Sequence, residues 1–185
     1  PFFGKFGATP AVATDLLRAC ASRGLVATGV TFHAGSQQTR PATYAAGVAT
    51  ALAVAREAGL ERPVLDIGGG LPVAYRAAVP AWEEFAAAVG GHDVRLVLEP
   101  GRALVAEAGM LRTSVLRVSR RPGVDHRRWV YLDAGRYQGR AETENEAIDY
   151  PLRVPGRDGP AGPVVIAGPT CDGDDVLYRR TPYAL

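Results

Sequence analysis

The sequence predicts an α/β chain in which β/α units repeat up to about Arg102 and a β-rich region follows. Three observations carry this. Short apolar runs alternate with Ala-rich segments of helical periodicity, glycine-rich polar clusters sit directly after those runs, and helical periodicity fades beyond Gly109. Short buried strands separated by helices imply parallel pairing, as in consecutive units of a (β/α) barrel or a doubly wound sheet. With 185 residues and 47% hydrophobic content the chain can bury a core.

Element by element, Val12 to Arg23 has apolar residues at helical spacing and stops at Gly24, after which Leu25 to Phe32 reads as a buried strand. Pro41 to Ala58 is a second helix closed by Gly59, followed by a short strand over Pro63 to Ile67. Trp82 to Val89 is a third helix ending at Gly90-Gly91, and Val94 to Leu98 a third strand. Later, Met110 to Val118 and Trp129 to Asp133 read as strands joined by the turn Arg120-Arg121-Pro122-Gly123. A loop over Gly156 to Pro163 leads to a last strand, Val164 to Ala167, ending at Gly168-Pro169. No fixed-period repeat accompanies the alternation.

Composition excludes several classes. All but one of the 21 Lys and Arg residues are arginine, the net charge is +2, and the charges are scattered, so no nucleic-acid or membrane-surface partner is expected. No apolar run is long enough to span a bilayer. The opening Pro1-Phe2-Phe3-Gly4 has neither an initiator Met nor a signal-peptide layout, so Pro1 is not expected to be the natural start. Two cysteines make no disulfide framework, which points to a reducing cytoplasm. Cys20, in a helical Ala/Leu pattern, reads as a small buried hydrophobe.

The chemistry collects at the strand ends: Phe32-His33-Ala34-Gly35-Ser36-Gln37, Asp66-Ile67-Gly68-Gly69-Gly70 and Glu99-Pro100-Gly101-Arg102. In a parallel β/α fold the carboxyl ends of the strands share the ligand-binding face. Gly68, Gly69 and Gly70 offer backbone N–H groups for an anionic oxygen, with a bare strand-to-loop turn as the alternative. Arg102 favours phosphate, while Glu99, expected near the end of a hydrophobic strand, would be costly there without a partner; a Glu99–Arg102 ion pair is the plainer reading. His33 is either a satisfied core histidine or, beside Gly35 and Ser36, an imidazole lying flat on a heteroaromatic ring. Cys171, among Asp172, Asp174 and Asp175, is expected to be an exposed thiol and a candidate proton donor. His92 and His126 read as solvated residues of polar turns, and with His33 they lack metal-ligand spacing, so no metal is expected.

Taken in order, Phe32 to Gln37, Leu65 to Pro72, Glu99 to Arg102 and Gly168 to Asp172, with Lys5-Phe6-Gly7 ahead of them, resemble the fold-type III pyridoxal-5'-phosphate (PLP) decarboxylases of the ornithine/lysine/diaminopimelate family. The resemblance implies that residues 1–109 are the C-terminal portion of a PLP-binding (β/α)8 TIM-type barrel and residues 110–185 part of a C-terminal β-sandwich or β-barrel domain. It implies that His33 stacks on the pyridine ring, that Ser36, Gly68, Gly69, Gly70, Gly101 and Arg102 bind the phosphate, and that Glu99 bonds the pyridine nitrogen. Cys171 would return the proton after CO2 leaves, and Asp172 would hold the distal amine of a basic amino acid, both reaching across a homodimer interface into a shared site. Thr170-Cys171-Asp172 looks more like the ornithine or lysine branch than the diaminopimelate branch. Conversion of ornithine to putrescine, in polyamine biosynthesis, is therefore the first expectation, with lysine and diaminopimelate as alternatives. Where relatives often place a further acid toward the substrate amine, this chain has Asn145, with Glu144 beside it.

The resemblance also implies that the lysine joined to the cofactor lies upstream of Pro1, Lys5 being structural or on the surface, and that further β strands follow Leu185. The chain by itself is then expected to be poorly stable and inactive. Two other readings remain. Val64 to Gly70 resembles the glycine loop of S-adenosylmethionine methyltransferases, although Pro72 stands where that loop usually has glycine. A non-enzymatic regulatory homologue would keep the fold while losing cofactor residues.

Overall fold

The computed structural model describes residues 5–123, 125–156, 162–181, 183 and 185. The opening Pro1-Phe2-Phe3-Gly4 and most of the Gly156 to Pro163 loop lie outside the described residues. The chain divides into two compact units, Pro1–Ala74 with Ala78–Gly109, and Tyr75–Ala77 with Met110–Leu185.

In the first unit, helix α1 spans Pro10–Ser22; Pro10 pre-sets the first turn and the Thr9 hydroxyl accepts the Val12 N–H. Strand β1 is Gly29–Thr31, α2 Pro41–Glu57, β2 Val64–Asp66, α3 Trp82–Val89 and β3 Arg95–Val97. A short helix, α4 (Arg102–Val105), follows β3 and was not anticipated. The three strands form a parallel sheet in the order β1-β2-β3. The expected strand over Leu25 to Phe32 shrinks to Gly29–Thr31, because only those residues find register with Val64–Asp66; Leu25 and Val26 are exposed instead. α2 supplies Tyr44, Val48 and Ala51 to a core completed by Leu65, Ile67, Leu71, Phe85 and Val89. Each large side chain removed from water there contributes roughly 1.5–3 kcal/mol. Cys20 is only half-buried.

In the second unit, β4 (Val115–Arg121), β5 (Asp125–Leu132), β6 (Val164–Ala167) and β7 (Val176–Tyr178) form one sheet in chain order. β5 and β6 are parallel, while the other two pairings are antiparallel. The strand expected over Met110 to Val118 begins only at Val115 and runs on to Arg121, since pairing with β5 selects it; Met110 is left 95% exposed. His126, expected in a turn, lies in β5, where it is exposed. β6 is buried along its whole length and packs with Leu177, Tyr178 and Tyr183. Tyr75 and Arg76 belong to this unit although sequence order puts them with the first: the Tyr75 ring meets Tyr150 edge-on at 5.0 Å, and the Arg76 guanidinium lies 4.7 Å over Tyr183. Among the described residues no helix is long and apolar enough to cross a membrane.

Candidate functional site

Parallel register places Thr31, Asp66 and Val97 side by side, so the three glycine-rich segments leave the sheet from one edge. The backbone ladder continues past the strands: Phe32 N–H donates to Asp66 O (3.0 Å), Ile67 N–H to Val97 O (3.0 Å) and Glu99 N–H to Gly68 O (2.9 Å). The glycines are there because the loops touch. A Cβ on Gly68 would sit 2.6 Å from Phe32 O and 3.2 Å from His33 Nδ1, one on Gly69 would sit 2.5 Å from Glu99 O, and one on Gly70 would collide with Gly35 O. Gly68 and Gly70 also have φ of +66° and +91°, the left-handed region that glycine enters without strain.

Side chains tighten the same edge. Gln37 makes a two-pronged amide clasp on the backbone of Val73, its Nε2 donating to the carbonyl (3.0 Å) and its Oε1 accepting the N–H (2.9 Å). Asp66 Oδ1 accepts the Gly68 N–H at 2.9 Å, so that amide faces the strand and not a ligand.

His33 is exposed at this edge, which removes the core-histidine reading. Ser36, Glu99 and Gly101 are exposed as well, and Arg102 is half-buried at the start of α4. The expectation that Glu99 would be costly near the end of a buried strand is corrected: β3 stops at Val97, and Glu99 stands in solvent reach. The first unit thus presents an imidazole, a hydroxyl, a guanidinium, a carboxylate and glycine amides at one strand-end edge. Those donors fit a phosphorylated pyridine: the cation, hydroxyl and amides suit the phosphate, the carboxylate a protonated ring nitrogen, and the imidazole a ring face.

The second unit carries the remaining predicted residues. Cys171 and Asp172 are exposed on the loop between β6 and β7. Tyr137 donates its hydroxyl proton to Asp172 Oδ2 at 2.7 Å, and the Asp174 N–H donates to Oδ1 at 2.9 Å. These bonds, the backbone one foremost, hold the Asp172 carboxyl below the ordinary range. The loop is anchored by Asp175, only 2% exposed, which accepts from Arg136 N–H (2.9 Å), Thr170 N–H (3.0 Å) and the Thr170 hydroxyl (2.8 Å). A side chain on Gly135 or Gly168 would run into that carboxylate.

Glu144 and Asn145 lie in a 3-10 segment, Ala141–Glu146, where Glu144 pairs with Arg136 at 3.4 Å. Asn145 has φ of +54° and gives its carbonyl to Arg180. The neighbouring Glu146 had no assigned role from sequence, yet it accepts from the N–H groups of Arg179 and Arg180 (2.7 Å each) and from the Thr181 hydroxyl (2.6 Å). Burial pushes its pKa up, but those hydrogen bonds prevail and hold it at about 2. Arg136, Asn145, Glu146, Gly173 and Asp174 contribute to an open cleft of about 260 Å³ in this unit. Tyr44 and Tyr137 were not marked in the sequence at all, and Gln37, Glu146 and Asp175 were given no anchoring role there. Asp175 left a signal there as the acid at the end of a cluster after a glycine-flanked strand, and Gln37 as the last residue of the polar cluster after the first strand.

Residues 4–106 match the family described as pyridoxal-dependent decarboxylase, pyridoxal binding domain. A lysine/ornithine decarboxylase of Selenomonas ruminantium is 35% identical, the alignment covering 95% of this chain and 46% of the relative. A diaminopimelate decarboxylase of Actinosynnema pretiosum subsp. auranticum is 30% identical, with 90% and 40% covered. The crystal structure of lysine/ornithine decarboxylase from Vibrio vulnificus, complexed with cadaverine, superposes with a TM-score of 0.80 at 32% identity, covering 100% of this chain and 52% of that one. The chain spans about half the length of the relatives it matches. It belongs to the pyridoxal-dependent decarboxylase family.

Proposed function

We propose that this member of the family forms part of a PLP-dependent decarboxylase acting on a basic amino acid, with ornithine as first substrate and lysine and diaminopimelate as alternatives. The observation that carries the reading is the meeting of the glycine segment, His33, Glu99 and the Glu99–Arg102 turn at one edge of the parallel sheet. An S-adenosylmethionine site is disfavoured because the family match runs through the same glycine segment, and His33, Ser36, Gly68, Gly69, Gly70, Glu99, Arg102 and Cys171 are all kept, which disfavours a purely regulatory homologue.

In this reading Arg102 and Ser36 hold the phosphate with the glycine loop and Gly101, His33 covers one face of the ring, and Glu99 keeps a proton on the ring nitrogen. When bound, PLP supplies an electron sink for the pair left as CO2 departs. Cys171 Sγ delivers the proton that replaces CO2, and Asp172, oriented by Tyr137, holds the distal ammonium of the substrate. Glu144 and Asn145, on the 3-10 segment, are further candidates for the same amine. As the resemblance implies, Cys171 and Asp172 serve the site of a second copy in a homodimer, and residues 1–109 and 110–185 are portions of the barrel and of the β domain. A cytoplasmic setting accords with the absence of any cysteine pair among the described residues.

The test is PLP binding and CO2 release from ornithine, lysine and diaminopimelate by the intact protein, with Arg102→Ala alongside. Loss of one charge-assisted contact of about 1.5–3 kcal/mol weakens PLP about ten- to hundredfold. Unchanged affinity refutes the assignment of Arg102, and no CO2 from any of the three substrates refutes the decarboxylase reading.

A further inference from the structure

We propose that Tyr44 is a positioning residue for the phosphate loop: its hydroxyl pins the Gly69 carbonyl, and so aims the Gly70 N–H at the cofactor phosphate. The inference rests on the PLP reading and adds to it a residue remote from the strand-end motifs.

Tyr44 lies in α2, is 1% exposed, and donates its hydroxyl proton to Gly69 O at 2.9 Å. A buried tyrosine hydroxyl needs a partner, and this one has found a backbone carbonyl of the glycine loop. Its ring is fixed edge-on to Phe85, 5.7 Å between centroids, so the hydroxyl has little freedom to leave.

The consequence follows from peptide geometry. The described chain has no cis peptides, and in a trans peptide the C=O of one residue and the N–H of the next point in opposite directions. Three successive carbonyls of the loop are tied down by three different elements: Gly68 O by Glu99 N–H at 2.9 Å, Gly69 O by Tyr44, and Gly70 O by Gln38 N–H at 2.9 Å. The N–H groups of Gly69, Gly70 and Leu71 are thereby turned away from those partners. Gly68 N–H is committed to Asp66, so the amide that Tyr44 aims is that of Gly70, opposite the carbonyl it holds. Two of the three carbonyl anchors are backbone groups that no ordinary substitution removes. Tyr44 is the anchor that a single side chain provides. Without it the middle peptide is free to rotate, because Gly69 and Gly70 resist rotation less than any other residue would.

The experiment compares the intact apo-protein and Tyr44→Phe for equilibrium affinity toward PLP and toward pyridoxal, which lacks the phosphate, with thermal unfolding of each apo-protein recorded in parallel. Tyr44→Phe keeps the ring and its contact with Phe85 and deletes only the hydroxyl. The expected result is a loss of about fivefold in PLP affinity, the size of one neutral hydrogen bond, with pyridoxal affinity unchanged. Equal PLP affinity in the two proteins overturns the proposal. An equal loss for both ligands overturns it as well, since that is the mark of general destabilisation and not of a phosphate-directed amide. If the parent protein takes up pyridoxal and PLP alike, phosphate recognition at this loop is wrong while the pyridoxal reading stands; if it takes up neither, the pyridoxal reading itself fails and the Tyr44 inference with it.

Discussion

The two units hold their chemical loops still by different means. In the first, the strand-end loops are fastened chiefly by neutral groups, beside the Asp66 carboxylate on Gly68 N–H: peptide to peptide at Gly68–Glu99 and Gly70–Gln38, amide to peptide at Gln37–Val73, phenol to peptide at Tyr44–Gly69. In the second, the loop bearing Cys171 and Asp172 hangs on the buried Asp175 carboxylate, and the 3-10 segment is tied to Arg179–Thr181 through Glu146. Neutral clasps are indifferent to pH, whereas carboxylate clasps are stronger per bond but hold only while ionised. The comparison teaches that the glycine loop of the first unit is held mostly by peptide, amide and phenol groups, with Asp66 as its carboxylate clasp, whereas the second unit's loop and 3-10 segment take most of their anchoring bonds from Asp175 and Glu146.

Four experiments break or sharpen that contrast. The largest effect is expected from Gly70→Ala, which combines φ of +91° with a collision against Gly35 O; about 4 kcal/mol of stability is lost in urea unfolding, with hydrogen-exchange protection falling in the first unit. Asp175→Ala leaves two part-buried N–H groups and a hydroxyl without their acceptor and costs about 3 kcal/mol. Limited proteolysis should then cut between Gly168 and Asp175, and resistance there would show that the carboxylate is not the anchor.

Glu146 gives the pH arm of the comparison. Its folded pKa of about 2 lies below the ordinary 4.5, so its stabilisation is full above about pH 4.5 and is lost as pH falls toward 2. That amounts to about 2–3 kcal/mol, seen as acid-dependent hydrogen exchange at Arg179–Thr181, and Glu146→Gln should flatten the dependence. Parallel acid loss of protection at the Gln38, Val73 and Glu99 N–H groups, which the neutral clasps hold, would break the contrast. The smallest effect is Gln37→Leu, about 1 kcal/mol and the same at every pH, read as a shift of the urea midpoint.

Much of this was legible in the sequence because it is encoded locally. The helix over Trp82–Val89 and the strand over Val164–Ala167 lie where periodicity and β-branched runs place them. The strand ends with His33, Gly68–Gly70 and Glu99 are marked by composition. What was not legible depends on a partner. β7, Val176–Tyr178, is a three-residue run between acids and arginines that becomes a strand only by pairing with Ile166 and Ala167. Leu25 and Val26 have the residue types of a strand and no neighbour in register. Glu99 looked costly only on the assumption that its strand stays buried to the last residue.

The sequence by itself determined the α/β alternation, the kinds of group at each strand end and the family, since these rest on periodicity and on residue types at short spacing. The tertiary structure alone decided that Tyr44 meets Gly69, 25 residues on, that Asp175 turns back to Arg136, and that Gly68 faces Asp66 and not a ligand. A hydrogen bond is specified by the direction and distance of two groups, and between residues far apart in the chain neither is fixed until the intervening backbone is folded.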